Sequence, residues 1–216
     1  MATMAETRAG WEVERYAPLA GVVAVASWVI GMLAIGDLSS KDKGAEILAY
    51  YKAHDGRIFA GGVIWLIGTA LFVWFLGSLR VRLLAAEGPV GRLTSLAFAG
   101  GVGTAICLML LPGADLAGAL SKNDLDPSAA RALRSVSDVF FLGAEYLAPV
   151  LLVATALLAL RTGVLPRWLA WVSLVIALVM LVAPIGWAGL VFAFPIWILI
   201  VAFLIWRPAT AGTARP

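Results

Sequence analysis

Charged residues divide this chain into apolar stretches of nearly uniform length. Between Arg15 and Asp37, Arg57 and Arg80, and Arg92 and Asp115, the charge-free stretches are 21, 22 and 22 residues long. Each is close to the ~20 residues with which a helix crosses a hydrocarbon core of about 30 Å. A charge at the centre of such a helix costs roughly 2.5–3.5 kcal/mol, so the gaps between charges map the spans. A fourth stretch of 22 residues, from Asp138 to Arg161, is interrupted by Glu145 alone. The last, between Arg167 and Arg207, holds 39 residues. As one helix it would be about 58 Å long, so it is expected to fold back at Ala183-Pro184-Ile185-Gly186, where proline and glycine disfavour helix. The expected fold is all-α, a polytopic membrane bundle of six transmembrane helices near 17–36, 58–79, 93–112, 138–160, 166–183 and 187–206. Segments 1–16 and 207–216 flank it as a cytoplasmic N-terminal segment and tail.

Composition agrees with this pattern. Hydrophobic residues make up 62% of the 216 and charged residues 13%, against roughly 45–50% and 25% in soluble domains. The mean hydropathy is +0.96. The apolar stretch after Arg15 exceeds the 7–15 residues of a signal-peptide core and is expected to stay as an anchor.

Lys and Arg beside helix ends set orientation. Arg8, Arg15, Arg80, Arg82, Arg92, Arg161, Arg167, Arg207 and Arg215 fall on one alternating side, with four acidic residues. Lys41, Lys43, Lys52, Arg57, Lys122, Arg131 and Arg134 fall on the other, with nine. The first side is expected to be cytoplasmic, which puts both termini inside and an acidic face outside. Trp11, Trp168, Trp171 and Trp206 fall at the inner boundary and Trp187 at the outer, as interfacial anchors.

Both outer loops carry helix signals. Ser39 and Ser40 precede Ile47, Leu48 and Tyr51 at helical spacing, and Asp126-Pro127 supplies an N-cap followed by a first-turn proline. Short amphipathic helices are expected in both loops, the second leading into span four.

Three groups of residues are candidates for function. Glu145 lies seven positions after Asp138, on nearly the same helix face and about 10 Å further along it. An intramembrane carboxylate either carries protons or ligands or is held by a structural partner. The second group, Tyr51, His54, Asp55, Arg57, Asp37 and Asp115 with Tyr50, gathers at the outer mouth of spans one to three. It forms either a vestibule or a solvated interfacial network. The third is the small-residue stripe Ala97, Gly101 and Ala105, which suits close helix packing within the chain or between copies. Pro149 and Pro195 are expected to bend spans four and six.

Other chemistry lacks a signature. His54 is the only histidine and Cys107 the only cysteine, which excludes an intramolecular disulfide and a multi-histidine or thiolate metal set. No phosphate-binding glycine loop, zinc-protease pair, nucleophile elbow or haem-attachment motif occurs. No catalytic residue, metal or cofactor is therefore expected, and no basic surface suits nucleic acid. The lipid bilayer is the expected partner. A small-molecule or lipid ligand and a second copy of the chain stay admissible.

The strings AYYKAHDGR (49–57), WFLGSLRVRL (74–83), LDPSAARAL (125–133) and LRTGVLPRWLAW (160–171) resemble those of a group of actinobacterial integral membrane proteins with no assigned activity. The resemblance implies location and topology and carries over no site residue. The leading expectation is a non-enzymatic plasma-membrane protein that binds or senses something at its outer face. A proton-coupled transporter using Glu145 and Asp138 is the alternative, and a membrane-embedded enzyme the third.

Overall fold

The computed structural model describes residues 16–36, 38–182 and 185–207. Among these the regular structure is entirely helical. Five helices are long and apolar enough to cross a membrane: α1 (Ala17–Ile35), α2 (Gly44–Glu87), α3 (Arg92–Leu120), α4 (Pro127–Thr162) and α6 (Gly186–Trp206). Between the last two lies a shorter apolar helix, α5 (Arg167–Met180). Its 14 residues extend about 21 Å. Helix α1 opens with a 3-10 turn at Ala17–Leu19, and α6 contains a π-helical stretch, Gly189–Ala193, just before Pro195.

The charge-free stretches expected as spans two to four lie inside helices that run well past them. With 44 residues, α2 extends about 66 Å, twice a hydrocarbon core, and the excess is the polar segment before residue 58 together with residues 80–87. The segment expected as a separate amphipathic helix is thus the start of α2, joined to the rest through a non-helical His54 (φ −127°, ψ 20°). Continuing the helix avoids a second set of orphan backbone groups, which two separate helices would have to satisfy. Likewise α4 begins at Pro127, with Asp126 accepting the Ala129 backbone N–H at 2.8 Å. The Ser128 hydroxyl and that N–H hold the Asp126 carboxyl below its ordinary range. At the start of α2 the cap is Glu46, whose carboxylate accepts the Lys43 N–H at 3.2 Å, while Ser39 belongs to the preceding turn. Ile47, Leu48 and Tyr51 of α2 pack with Leu38, Ala119 and Ala130 in a small core separate from the main one.

Helix ends follow from local chemistry. Gly163 ends α4 with φ +72°, a conformation costly for other residues, and its N–H bonds the Ala159 carbonyl. At the α2–α3 turn Glu87 reaches across the chain reversal. Its two oxygens accept the N–H groups of Leu93 and Thr94 and the Thr94 hydroxyl, all at 2.7 Å. Three donors at the start of α3 are thereby satisfied by the last residue of α2.

The main core is aromatic at its centre. Trp28 meets Phe72 edge-on at 5.2 Å, Phe72 meets Phe194 at 5.9 Å, and Phe194 lies 6.1 Å from Trp197. The Trp28 indole donates to Thr69 Oγ1 at 3.0 Å and the Trp197 indole to Ser173 Oγ at 2.7 Å. The small-residue stripe of α3 faces inward, with Ala97 and Ala105 buried. A Cβ at Gly101 would stand 2.6 Å from the Leu76 side chain, and one at neighbouring Gly100 would stand 2.8 Å from Leu151 N, so α2 and α4 press against α3 here.

The expected turn between spans five and six falls between Met180 and Gly186. Ala183 and Pro184 lie outside the described residues, as do Asp37 and Trp11.

Candidate functional site

Three helices meet at one buried carboxylate. Asp115 on α3 is 1% exposed. Its Oδ1 accepts the Tyr51 hydroxyl at 3.0 Å and its Oδ2 accepts Arg134 Nη1 at 2.7 Å. Arg134 Nη2 reaches Asp138 Oδ1, four residues along α4, at 3.4 Å. Tyr51 gains access because Gly118 lies three positions after Asp115, on the same side of α3. The phenol ring fills the space that a Gly118 side chain would take. A buried carboxylate is costly without a counter-charge, and here Arg134 supplies one while the phenol donates a hydrogen bond.

One to two turns back toward the start of α3, Pro112 removes an N–H from the helix and frees the Leu108 carbonyl. The Trp65 indole N–H takes that carbonyl at 2.7 Å. The Ser137 hydroxyl of α4 donates to the Leu111 carbonyl at 2.7 Å. Proline in α3 is thus compensated from α2, and the Ser137 bond ties α4 to the same stretch. Trp65→Phe should leave the Leu108 carbonyl without a donor and cost about 1–3 kcal/mol, measured by thermal unfolding in nanodiscs. With Pro112→Ala the helix regains its own N–H, so the same tryptophan change should then cost clearly less.

These polar groups stand at one end of a cavity of about 200 Å³. One wall is α1, through Trp28, Val29 and Met32; another is Trp65 of α2 with Leu108 and Leu111 of α3. Helix α4 contributes Phe141 beside Arg134, Ser137 and Asp138, and the first turns of α6 contribute Leu190, Val191 and Phe194. Val29 and Met32 are 47% and 45% exposed, so the rim on the α1 side is open and apolar. The opening follows from where α6 begins. Gly186 lies against the Glu145 carboxylate, seven residues along α4 from Asp138. That distance is about 10 Å of helical rise, and it leaves Arg134 and Asp138 standing beyond the start of α6.

Glu145 is therefore a neighbour of the cavity but does not line it. It is 8% exposed, and among the described residues it makes no hydrogen bond or ion pair. A Cβ at Gly186 would fall 2.0 Å from its Oε1.

The expected outer group divides. Tyr51 and Asp115 join the buried network. His54 stacks on Tyr50 at 4.3 Å, with Nδ1 3.3 Å from the Tyr50 carbonyl. The Tyr50 hydroxyl in turn donates to the Ile35 carbonyl at the end of α1 at 2.8 Å. Asp55 pairs with Lys122 at the far end of α3. Arg57 is exposed and enters no ion pair among the described residues. Asp138 joins Arg134 but does not meet Glu145. Among the described residues no three His, Cys, Asp or Glu side chains converge as a metal set would.

Arg134, Trp28, Trp65 and Lys122 were not legible as site residues. Only Arg134 left a local trace, its four-residue spacing from Asp138 on one helix. No family model matches the chain, and no curated protein or solved structure is similar to it.

Proposed function

We propose that the chain is a six-span plasma-membrane protein with cytoplasmic termini that binds a small amphipathic molecule near its outer face, without catalysing a reaction. The observation that carries this reading is the cavity of about 200 Å³, apolar around its walls and rim and charged at one end by Asp115, Arg134 and Asp138. An apolar site with a few convergent polar groups is the usual form of a ligand pocket. The excess of arginine at the helix ends of one side supports the orientation. It puts the cavity in the outer half of the bundle. In this topology α5 and α6 are the last two spans, and Gly186 at the start of α6 lies beside Glu145. The resemblance to actinobacterial membrane proteins supports the location alone.

A neutral test separates occupancy from charge preference. Photolysis of the nanodisc-embedded protein with a short alkyl alcohol carrying a diazirine is expected to label cavity residues saturably, Asp138 foremost, with Met32 and Phe141 beside it. Labelling spread evenly over the lipid-facing residues, with no saturation, would remove the reading. Proton-coupled transport, the second reading, draws on the isolation of Glu145 among the described residues.

A further inference from the structure

We infer that the cavity selects an organic cation, an ammonium group carrying a short apolar body, and this rests on the binding function proposed above. The inference comes from an account of which donors and acceptors around the cavity are already used.

Most of the donors are committed. The Trp65 indole N–H is held by the Leu108 carbonyl and the Trp28 indole N–H by Thr69. Neither indole therefore has a hydrogen to offer a ligand. The Ser137 hydroxyl donates to the Leu111 carbonyl, leaving only lone pairs. Arg134 directs one N–H of each terminal nitrogen to a carboxylate, and its Nε–H is buried without a partner, out of a ligand's reach.

The acceptors are not. The Asp138 side chain is 48% exposed, and its single bond, from Arg134, is long at 3.4 Å. An ionised carboxylate has about four lone-pair sites, so Asp138 keeps most of its capacity free. Among the described residues three charged ones line the cavity, Asp115, Arg134 and Asp138, which gives one negative charge in excess.

Size sets the rest. A volume of 200 Å³ equals roughly seven water molecules' share of the liquid. That admits a substituted ammonium and a few carbons, with any longer tail leaving over Val29 and Met32 into the lipid. The ammonium belongs either to a free amphiphilic cation or to an amine-bearing lipid headgroup.

The experiment is calorimetric titration of the full chain in galactolipid nanodiscs, which carry neither charge nor amine. Hexyltrimethylammonium is expected to bind saturably, and hexyl phosphate and hexanol at least about tenfold more weakly. Asp138→Asn should weaken hexyltrimethylammonium by about tenfold or more, whereas Asp138→Glu, which retains the charge, should bind much as the native chain does. Asp138 is surface-exposed and weakly paired, so neither variant threatens the fold. If nanodiscs doped with phosphatidylethanolamine compete with hexyltrimethylammonium, the lipid headgroup is the source of the ammonium; if they do not, a free cation is. Hexyl phosphate binding as tightly as the cation, or Asp138→Asn leaving the cation's affinity unchanged, overturns the inference. If saturable labelling by the neutral alcohol persists in that case, only the charge selection fails. If it too is absent, the binding function fails with it.

Discussion

Arg134→Met is expected to produce the largest loss of stability of any single change at the site, about 3–5 kcal/mol in nanodisc unfolding. The cause is what the change leaves behind. Asp115 stays 1% exposed, with the Tyr51 hydroxyl as its one remaining partner. The desolvation of the carboxylate then has no counter-charge against it. The companion change tests that explanation. Asp115→Leu in the Arg134→Met background removes the stranded charge, so the double variant should be more stable than Arg134→Met alone, a coupling well outside simple additivity. If the two changes merely add, Arg134 acts by packing and not by neutralising Asp115.

The second large effect is expected at Gly118. An added Cβ would stand 2.3 Å from Tyr51 Cε2 and 2.7 Å from Cζ, well inside any contact two carbons adopt. Tyr51 is fully buried between α2 and α3 and is not a flexible side-chain end. Gly118→Ala should therefore push the ring aside, break its hydrogen bond to Asp115 and cost about 1–3 kcal/mol. In a Tyr51→Ala background the same glycine change should cost clearly less, because the clash is absent there, although Tyr51→Ala is itself costly for the site it empties. Unfolding midpoints of the four chains, measured together, check both statements.

Much of the architecture was legible because lipid imposes a simple rule on sequence. Charges are excluded from the hydrocarbon, so the positions of Arg57, Arg80, Arg92 and Asp115 outline helices without reference to any neighbour. The same rule is silent on how far a helix continues once it is among polar residues. Residues 44–57 form one helix with residues 58–87 because of local cap chemistry and a single kink at His54. Pro112, which ended the expected third span, lies inside α3 because Trp65 makes good the missing donor.

The site was legible only in part, for a related reason. Asp115 and Tyr51 stood out as polar residues at span ends. Arg134, which pairs with Asp115, lies on another helix, and that pairing depends on the rotation of α4 against α3. No residue spacing encodes it. Glu145 stood out by its depth. Its lack of company depends on where the α5–α6 turn falls, and no property of residue 145 reveals that.

The clasp made by Glu87 bears on how such a chain is built. Helices α2 and α3 are joined by the four residues 88–91, and the carboxylate ending one satisfies three donors beginning the other. At this turn the N–H groups of Leu93 and Thr94 are met from within the hairpin. During synthesis the turn is complete before α4 has left the ribosome. The pair can partition into lipid as one unit, with those groups already met, and the later helices then assemble against a finished template.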